Sequence, residues 1–123
     1  MDDRSFEVKS ESRATIDGIE RVTFAVHVPA GICYFRGHFE GNPLLPAVAQ
    51  LNSLVVPFVH RTWPTMPPLR RALRLKFHRP IRPGDDLSVR LERRGDSSSV
   101  TFTIELDGAP ASSGALYFGE VTP

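Results

Sequence analysis

The sequence predicts an α+β domain in which a curved antiparallel sheet of about six strands wraps one long buried helix. Three observations carry this. Runs of alternating apolar residues stand at both ends of the chain, and turn residues separate them. Between them lies one stretch that is apolar on every side of a helix.

The elements follow in order. Asp17-Gly18 separates two strand-like runs, Phe6 to Ile16 and Ile19 to Val28, and an Asp-Gly pair between such runs predicts a hairpin. In the second run Val22, Phe24, Val26 and Val28 share one face, with Thr23, Ala25 and His27 on the other. From Leu44 to Val59 the apolar residues Leu44, Leu45, Ala47, Val48, Ala49, Leu51, Leu54, Val55, Val56 and Phe58 leave no polar face, so this helix should be buried all round. Pro57 has no N–H for the Ser53 carbonyl, which predicts a kink or an end there. "LRRALRLKFHRPI" then leads to "RPGDD", where Pro83-Gly84 suits the centre of a type II turn. "LSVRLER" follows. Val100, Phe102, Ile104 and Leu106 alternate with Thr101, Thr103 and Glu105, and "DGAP" turns the chain into a last strand, "ASSGALYFG". These four runs read as an antiparallel meander. An apolar helix that must be covered on all sides then requires the sheet to curl around it.

Composition narrows the function. A chain of 123 residues makes a single domain, residues 1–123, with one core. A net charge of +1 gives no general attraction to nucleic acid or an acidic membrane, and aromatic residues do not interleave with the basic ones as a nucleic-acid surface requires. Cys33 is the only cysteine, so no internal disulfide forms, and a reducing cytoplasm is the expected compartment. Flanked by Ile32 and Tyr34, it reads as a buried structural thiol. The start, "MDDRSFEVKSESR", is polar where a signal peptide would be basic and then apolar. The apolar run is interrupted by Gln50, Asn52, Ser53 and Pro57, too polar and too short to span a bilayer. His27, His60 and His78 have no metal-ligand spacing.

The segment that carries chemistry is "GHFEGNPLLP", where His38 and Glu40 stand between two glycines at the mouth of the apolar run. Extended to "GHFEGNPLLPAVAQL", it resembles the active-site segment of the 3-hydroxyacyl-acyl carrier protein dehydratases of FabA/FabZ type, GHFPGxPxxPG followed by an apolar helix. "LKFHRPIRPGDDLSVRLE" resembles the strand-turn-strand that follows in that family. "VAQL" and "SSGALYF" look closest to its short aryl polyene-type, ApeI-like branch. The resemblance runs from about Val22 to Phe118 and implies the hot-dog fold.

It also implies a site, with no cofactor and no metal. His38 matches the histidine that takes a proton from C2 of a thioester-bound 3-hydroxyacyl chain, and imidazole is suited to that role near neutral pH. Ala47 stands where the family has the glycine whose backbone N–H, at a helix N-terminus, polarises the thioester carbonyl. The family's helix carboxylate, which helps the 3-hydroxyl leave, falls on Asn52, and an amide orients a hydroxyl without acting as an acid. Asn52 reads equally as a buried polar group satisfied across a dimer. Glu40 replaces a proline, either as a carboxylate that tunes His38 or as a solvated loop residue; for His38 itself the alternative is a cap on the helix start. Phe35, Phe39, Gly41, Leu45, Val48 and Phe77 flank the motif or face it as the expected acyl-binding residues. Arg70, Arg71, Arg74, Arg79 and Arg82 crowd one third of the chain, either as a solvated strand face or as a landing surface for an acidic acyl carrier protein. The expected assembly is a homodimer, or a hetero-oligomer with another hot-dog subunit. A non-catalytic hot-dog subunit and a thioesterase are the other functions this sequence allows.

Overall fold

The computed structural model describes residues 6–29, 45 and 47–119. Two-residue turns close the first and last hairpins. Asp17 and Asp107 have φ of 53°, and Gly18 and Gly108 have φ of 78°. Positive φ at both central residues is what a type I′ turn requires, and its twist matches that of the strands it joins. The first turn links β1 (Glu7–Ile16) to β2 (Ile19–His27), and the second links β5 (Ser99–Leu106) to β6 (Ala109–Phe118). Between the hairpins come the helical residues, then β3 (Leu69–Phe77) and β4 (Asp86–Arg94). Pro83-Gly84 forms the expected tight turn, with Gly84 at φ 87° and the Asp85 N–H donating to the Arg82 carbonyl at 3.2 Å.

All six strands form one antiparallel sheet in the order β1-β2-β4-β5-β6-β3. The meander expected of the last four runs is therefore confined to β4, β5 and β6. β3 lies beyond them at the far edge, against β6, and β4 pairs with β2. Backbone bonds at the two ends of the β3–β4 link explain this. The His78 N–H donates to the Ala111 carbonyl at 2.7 Å, holding the link's start on β6. At its other end the Val28 N–H donates to the Asp85 carbonyl at 2.9 Å, holding it on β2. Three strand spacings, about 14 Å, separate β3 from β4, well within the reach of such a link.

The helix covers the concave face. It begins as α1 (Ala47–Ala49), widens into a π-helical segment (Gln50–Val55) and continues as α2 (Val56–Thr62). Pro57 does not end it. The Val56 N–H bonds to the Leu51 carbonyl five residues back, and α-helical geometry resumes with Pro57 in its first turn, where a missing N–H costs least. Leu54, Val55, Phe58 and Val59 pack against Phe24 and Val26 of β2, Val89 and Leu91 of β4, and Phe102 and Ile104 of β5, all in one buried cluster. The Phe24 and Phe58 rings stack at 4.4 Å. Burying each such side chain stabilises the fold by about 1.5–3 kcal/mol.

Burial of the helix is one-sided within the chain, which corrects the expectation of burial all round. Ala47, Val48, Asn52 and Pro57 are exposed. The two edge strands are rich in charge, a common protection against unwanted pairing. On β1 the pairs Lys9–Glu7 (3.0 Å) and Arg13–Glu11 (3.3 Å) line the edge. On β3 the exposed residues include Arg70, Arg71, Arg74 and Lys76.

Candidate active site

His38, Glu40, Phe35, Phe39, Gly41 and Cys33 lie outside the described residues. The structure places the remaining expected site residues on three elements. Leu45 is 3% exposed, and its N–H donates to the Ile81 carbonyl at 2.7 Å, which ties the chain before the helix to the β3–β4 link. Ala47 is the first residue of α1. The leading N–H groups of a helix have no partner within it and sit at its positive end. Val48 is 68% exposed, and Asn52, four residues on, is exposed with it, so the two share the open side of the helix. Asn52 is thus not a buried polar group of the single chain.

Phe77 ends β3, paired with Ser112 of β6, and keeps 42% of its surface exposed. Beside it, Leu75 folds over Gly114, where a Cβ would lie 2.6 Å from Leu75 Cδ2 and 2.9 Å from Phe102 Cε1. A strand glycine here permits a close approach of side chains from the neighbouring strands.

One residue of this region stands in the sequence as a break in the apolar run and within the "VAQL" stretch, with no role of its own assigned there. Gln50 is 4% exposed and opens the π segment. Its Nε2 donates to the Leu45 carbonyl at 3.1 Å, while its Oε1 is buried without a hydrogen-bond partner among the described residues. Leaving a buried polar atom unpaired costs about 1–3 kcal/mol. A polar side chain within an otherwise apolar buried helix was the signal that could have singled it out.

The five arginines divide. The Arg71 guanidinium lies 5.1 Å from the Tyr117 ring centre, and Arg74 Nη2 donates to Tyr117 Oη at 3.5 Å. Arg74 has φ 54°, at a bulge where β3 shifts register between Leu73 and Lys76. Arg70, Arg71, Arg74 and Arg82 are exposed. Arg79 instead donates from Nη1 to the Leu106 carbonyl at 2.6 Å, so part of its role is to hold the β3–β4 link on the sheet. An open groove of about 310 Å³ runs along β3, β5 and β6, lined by Arg74, Lys76, Thr101, Thr103 and Ser113 among others.

Three other titratable groups make contacts away from the motif. His27 Nδ1 is 2.7 Å from Asp86 Oδ1 across β2 and β4, and His60 Nε2 donates to the Pro67 carbonyl. Lys9, by hydrogen bond and then by charge, holds the Glu7 carboxyl below the ordinary range on the β1 edge. Among the described residues no group of three side chains could hold a metal ion, and no helix is long and apolar enough to cross a membrane.

A single antiparallel sheet curled over one helix, with its second and fourth strands paired and its third at the far edge, defines a hot-dog domain. Leu45, Ala47, Val48 and Asn52 lie together at the start of the helix, whereas Phe77 and the arginines lie on β3 and the β3–β4 link. The chain belongs to the ApeI-like family, described as ApeI dehydratase, which it matches over residues 12–115. It is 32% identical over 108 residues to the 3-hydroxyacyl-[acyl-carrier-protein] dehydratase FabZ of Oenococcus oeni, covering 80% of this chain and 78% of the relative. It is 30% identical over 95 residues to the corresponding FabZ of Desulfotalea psychrophila, covering 71% of this chain but 59% of that protein's length. Among solved structures, the dehydratase heterocomplex ApeI:P from Xenorhabdus doucetiae superposes with a TM-score of 0.73 at 26% identity, covering 88% of this chain and 95% of the other.

Proposed function

We propose that this chain is a hot-dog dehydratase subunit that removes water from a 3-hydroxyacyl chain held as a thioester on an acyl carrier protein, giving the 2-enoyl thioester. The observation that carries the reading is the His38 motif running directly into the first turn of the helix, in a chain of the ApeI-like dehydratase family. His38 takes the C2 proton. The electron pair left on C2 is stabilised through the thioester oxygen, which the Ala47 N–H receives at the positive end of the helix. The C3–O bond then breaks, C2 and C3 become doubly bonded, and the proton on His38 goes to the departing oxygen to give water. Asn52 holds the 3-hydroxyl in line for departure, with its amide as donor and acceptor. Phe35, Phe39, Gly41, Leu45, Val48 and Phe77 bound the acyl chain, and Glu40 tunes His38. The exposed arginines of β3 and the following link receive the acidic carrier. The open side of the helix and an edge of the sheet receive a second hot-dog subunit, which brings one subunit's His38 to the other's Asn52. Fatty acid, aryl polyene and polyketide-type biosynthesis all supply such thioesters, and all are cytoplasmic.

A second reading rests on a specific observation: Asn52 stands where the dehydratase motif carries a carboxylate. On that reading the chain is a non-catalytic subunit that completes or supports an active hot-dog partner. Mass spectrometry of a 3-hydroxyacyl carrier protein after incubation with the purified chain separates the readings. Loss of water supports the proposal. Loss of the whole acyl chain indicates thioester hydrolysis, and an unchanged mass supports the non-catalytic subunit.

A further inference from the structure

We infer that Gln50 is a positioning residue for this site, an inference that rests on the dehydratase reading above. Its side-chain amide fixes the peptide through which the chain passes from the His38 motif into the helix.

Leu45 is held at both of its backbone polar groups. Its N–H donates to the Ile81 carbonyl at 2.7 Å, and its carbonyl accepts from Gln50 Nε2 at 3.1 Å. Ile81 is fully buried in the β3–β4 link, so the two bonds clamp Leu45 between the link and the helix. The residue after Leu45 is a proline, which has no N–H, so the Leu45 oxygen is the one polar group by which that peptide plane can be held. The next peptide carries the Ala47 N–H, the donor assigned to the thioester oxygen. A Leu45 carbonyl left to turn would change the direction of that donor and bring a negative oxygen near a developing anion. Gln50 prevents both.

The cost of this arrangement is visible in the same side chain. Gln50 is 4% exposed, and its Oε1 is buried without a partner among the described residues. An apolar side chain of similar size would remove that unpaired atom and pack against the same core. What the amide supplies, and leucine or methionine would not, is the bond to Leu45.

The test compares the full-length parent with Gln50→Leu, using a carrier-bound 3-hydroxyacyl substrate for turnover, thermal melting for stability and NMR amide exchange at Leu45 for the clamp. The expected variant melts within a few degrees of the parent, because the unpaired Oε1 is gone while the Leu45 carbonyl loses its partner; it keeps KM within about threefold and loses about 10–100-fold in kcat. Its Leu45 amide exchanges faster while the strand amides keep their protection. A residue with a merely structural role would shift the melt and leave kcat alone. If Gln50→Leu does not fold, Gln50→Met carries the same expectations with a more adaptable side chain. Retained kcat in a folded variant overturns the inference. If the parent shows no turnover, the dehydratase reading fails on its own account, and unchanged Leu45 exchange in the variant then overturns the clamp as well.

Discussion

Replacing Gly114 by alanine tests the packing that joins the far-edge strand to the core. A Cβ there would stand 2.6 Å from Leu75 Cδ2, 2.9 Å from Phe102 Cε1 and 3.3 Å from Phe102 Cζ. Carbon atoms pack best at about 3.5–4.0 Å, so Leu75 Cδ2 must retreat by about 0.9–1.4 Å and Phe102 Cε1 by about 0.6–1.1 Å. The two differ in how they can respond. Leu75 is 37% exposed and its offending atom ends a flexible side chain, so it swings outward for about 0.5–1.5 kcal/mol. Phe102 is 1% exposed and enclosed by the core, so its ring cannot yield without moving the strand. Overpacking of this kind costs about 1–3 kcal/mol, and Gly114→Ala should fall near the middle at about 2 kcal/mol. Urea unfolding at fixed protein concentration, read by the fluorescence of the single, buried Trp63, measures it directly. With a urea slope of about 1–3 kcal/mol/M the midpoint should fall by about 1 M. Adding Leu75→Ala should return about 0.5–1 kcal/mol as coupling between the two sites, because one of the two clashes is gone. A Gly114→Ala midpoint unchanged within error would refute the reasoning, since both contacts would then be absent in solution.

Two further substitutions probe the ends of the helix. Trp63 Nε1 donates to Glu20 Oε1 at 2.9 Å, so Trp63→Phe should destabilise by about 1–2 kcal/mol in a thermal or denaturant melt, and an unchanged melt would remove that bond from the account. Val48 is 68% exposed in the single chain, so Val48→Phe should leave the chain folded while shortening the acyl chain that is turned over fastest. Unchanged chain preference in a competition among substrates would mean that the acyl path lies elsewhere.

What the sequence made legible was local. The two Asp-Gly turns specify their own φ angles, and the alternation in β2 and β5 specifies which face is buried, so both hairpins could be read from short windows. The place of β3 could not, because nothing in a strand's own residues says that its neighbour in space is β6 rather than β4. The weak hint was compositional. "LRRALRLKF" alternates poorly and carries four basic residues, as a charged edge strand does. Pro57 marked a disturbance in the helix, yet the sequence did not show that a wider turn would absorb it and let the helix run on to Thr62. Leu45, Ala47, Val48 and Asn52 are proposed for the site through a motif whose spacing is independent of packing. Gln50 could not be proposed from the sequence, because its significance lies in a partner five residues back and an atom unpaired among the described residues, neither visible in a pattern of polarity.

The central claim is that this chain removes water with His38 as its proton carrier and Asn52 as a positioning group. The most direct measurement is the initial rate of dehydration of one carrier-bound 3-hydroxyacyl substrate by the parent, His38→Ala, Asn52→Ala and Asn52→Asp, each shown to be folded. A general acid-base group contributes about 10²–10⁴-fold in rate, so His38→Ala should lose at least that much. Asn52→Ala should lose less, because it removes orientation alone, and Asn52→Asp should match or exceed the parent by restoring a carboxylate on the open side of the helix. A parent rate that survives His38→Ala would contradict the account.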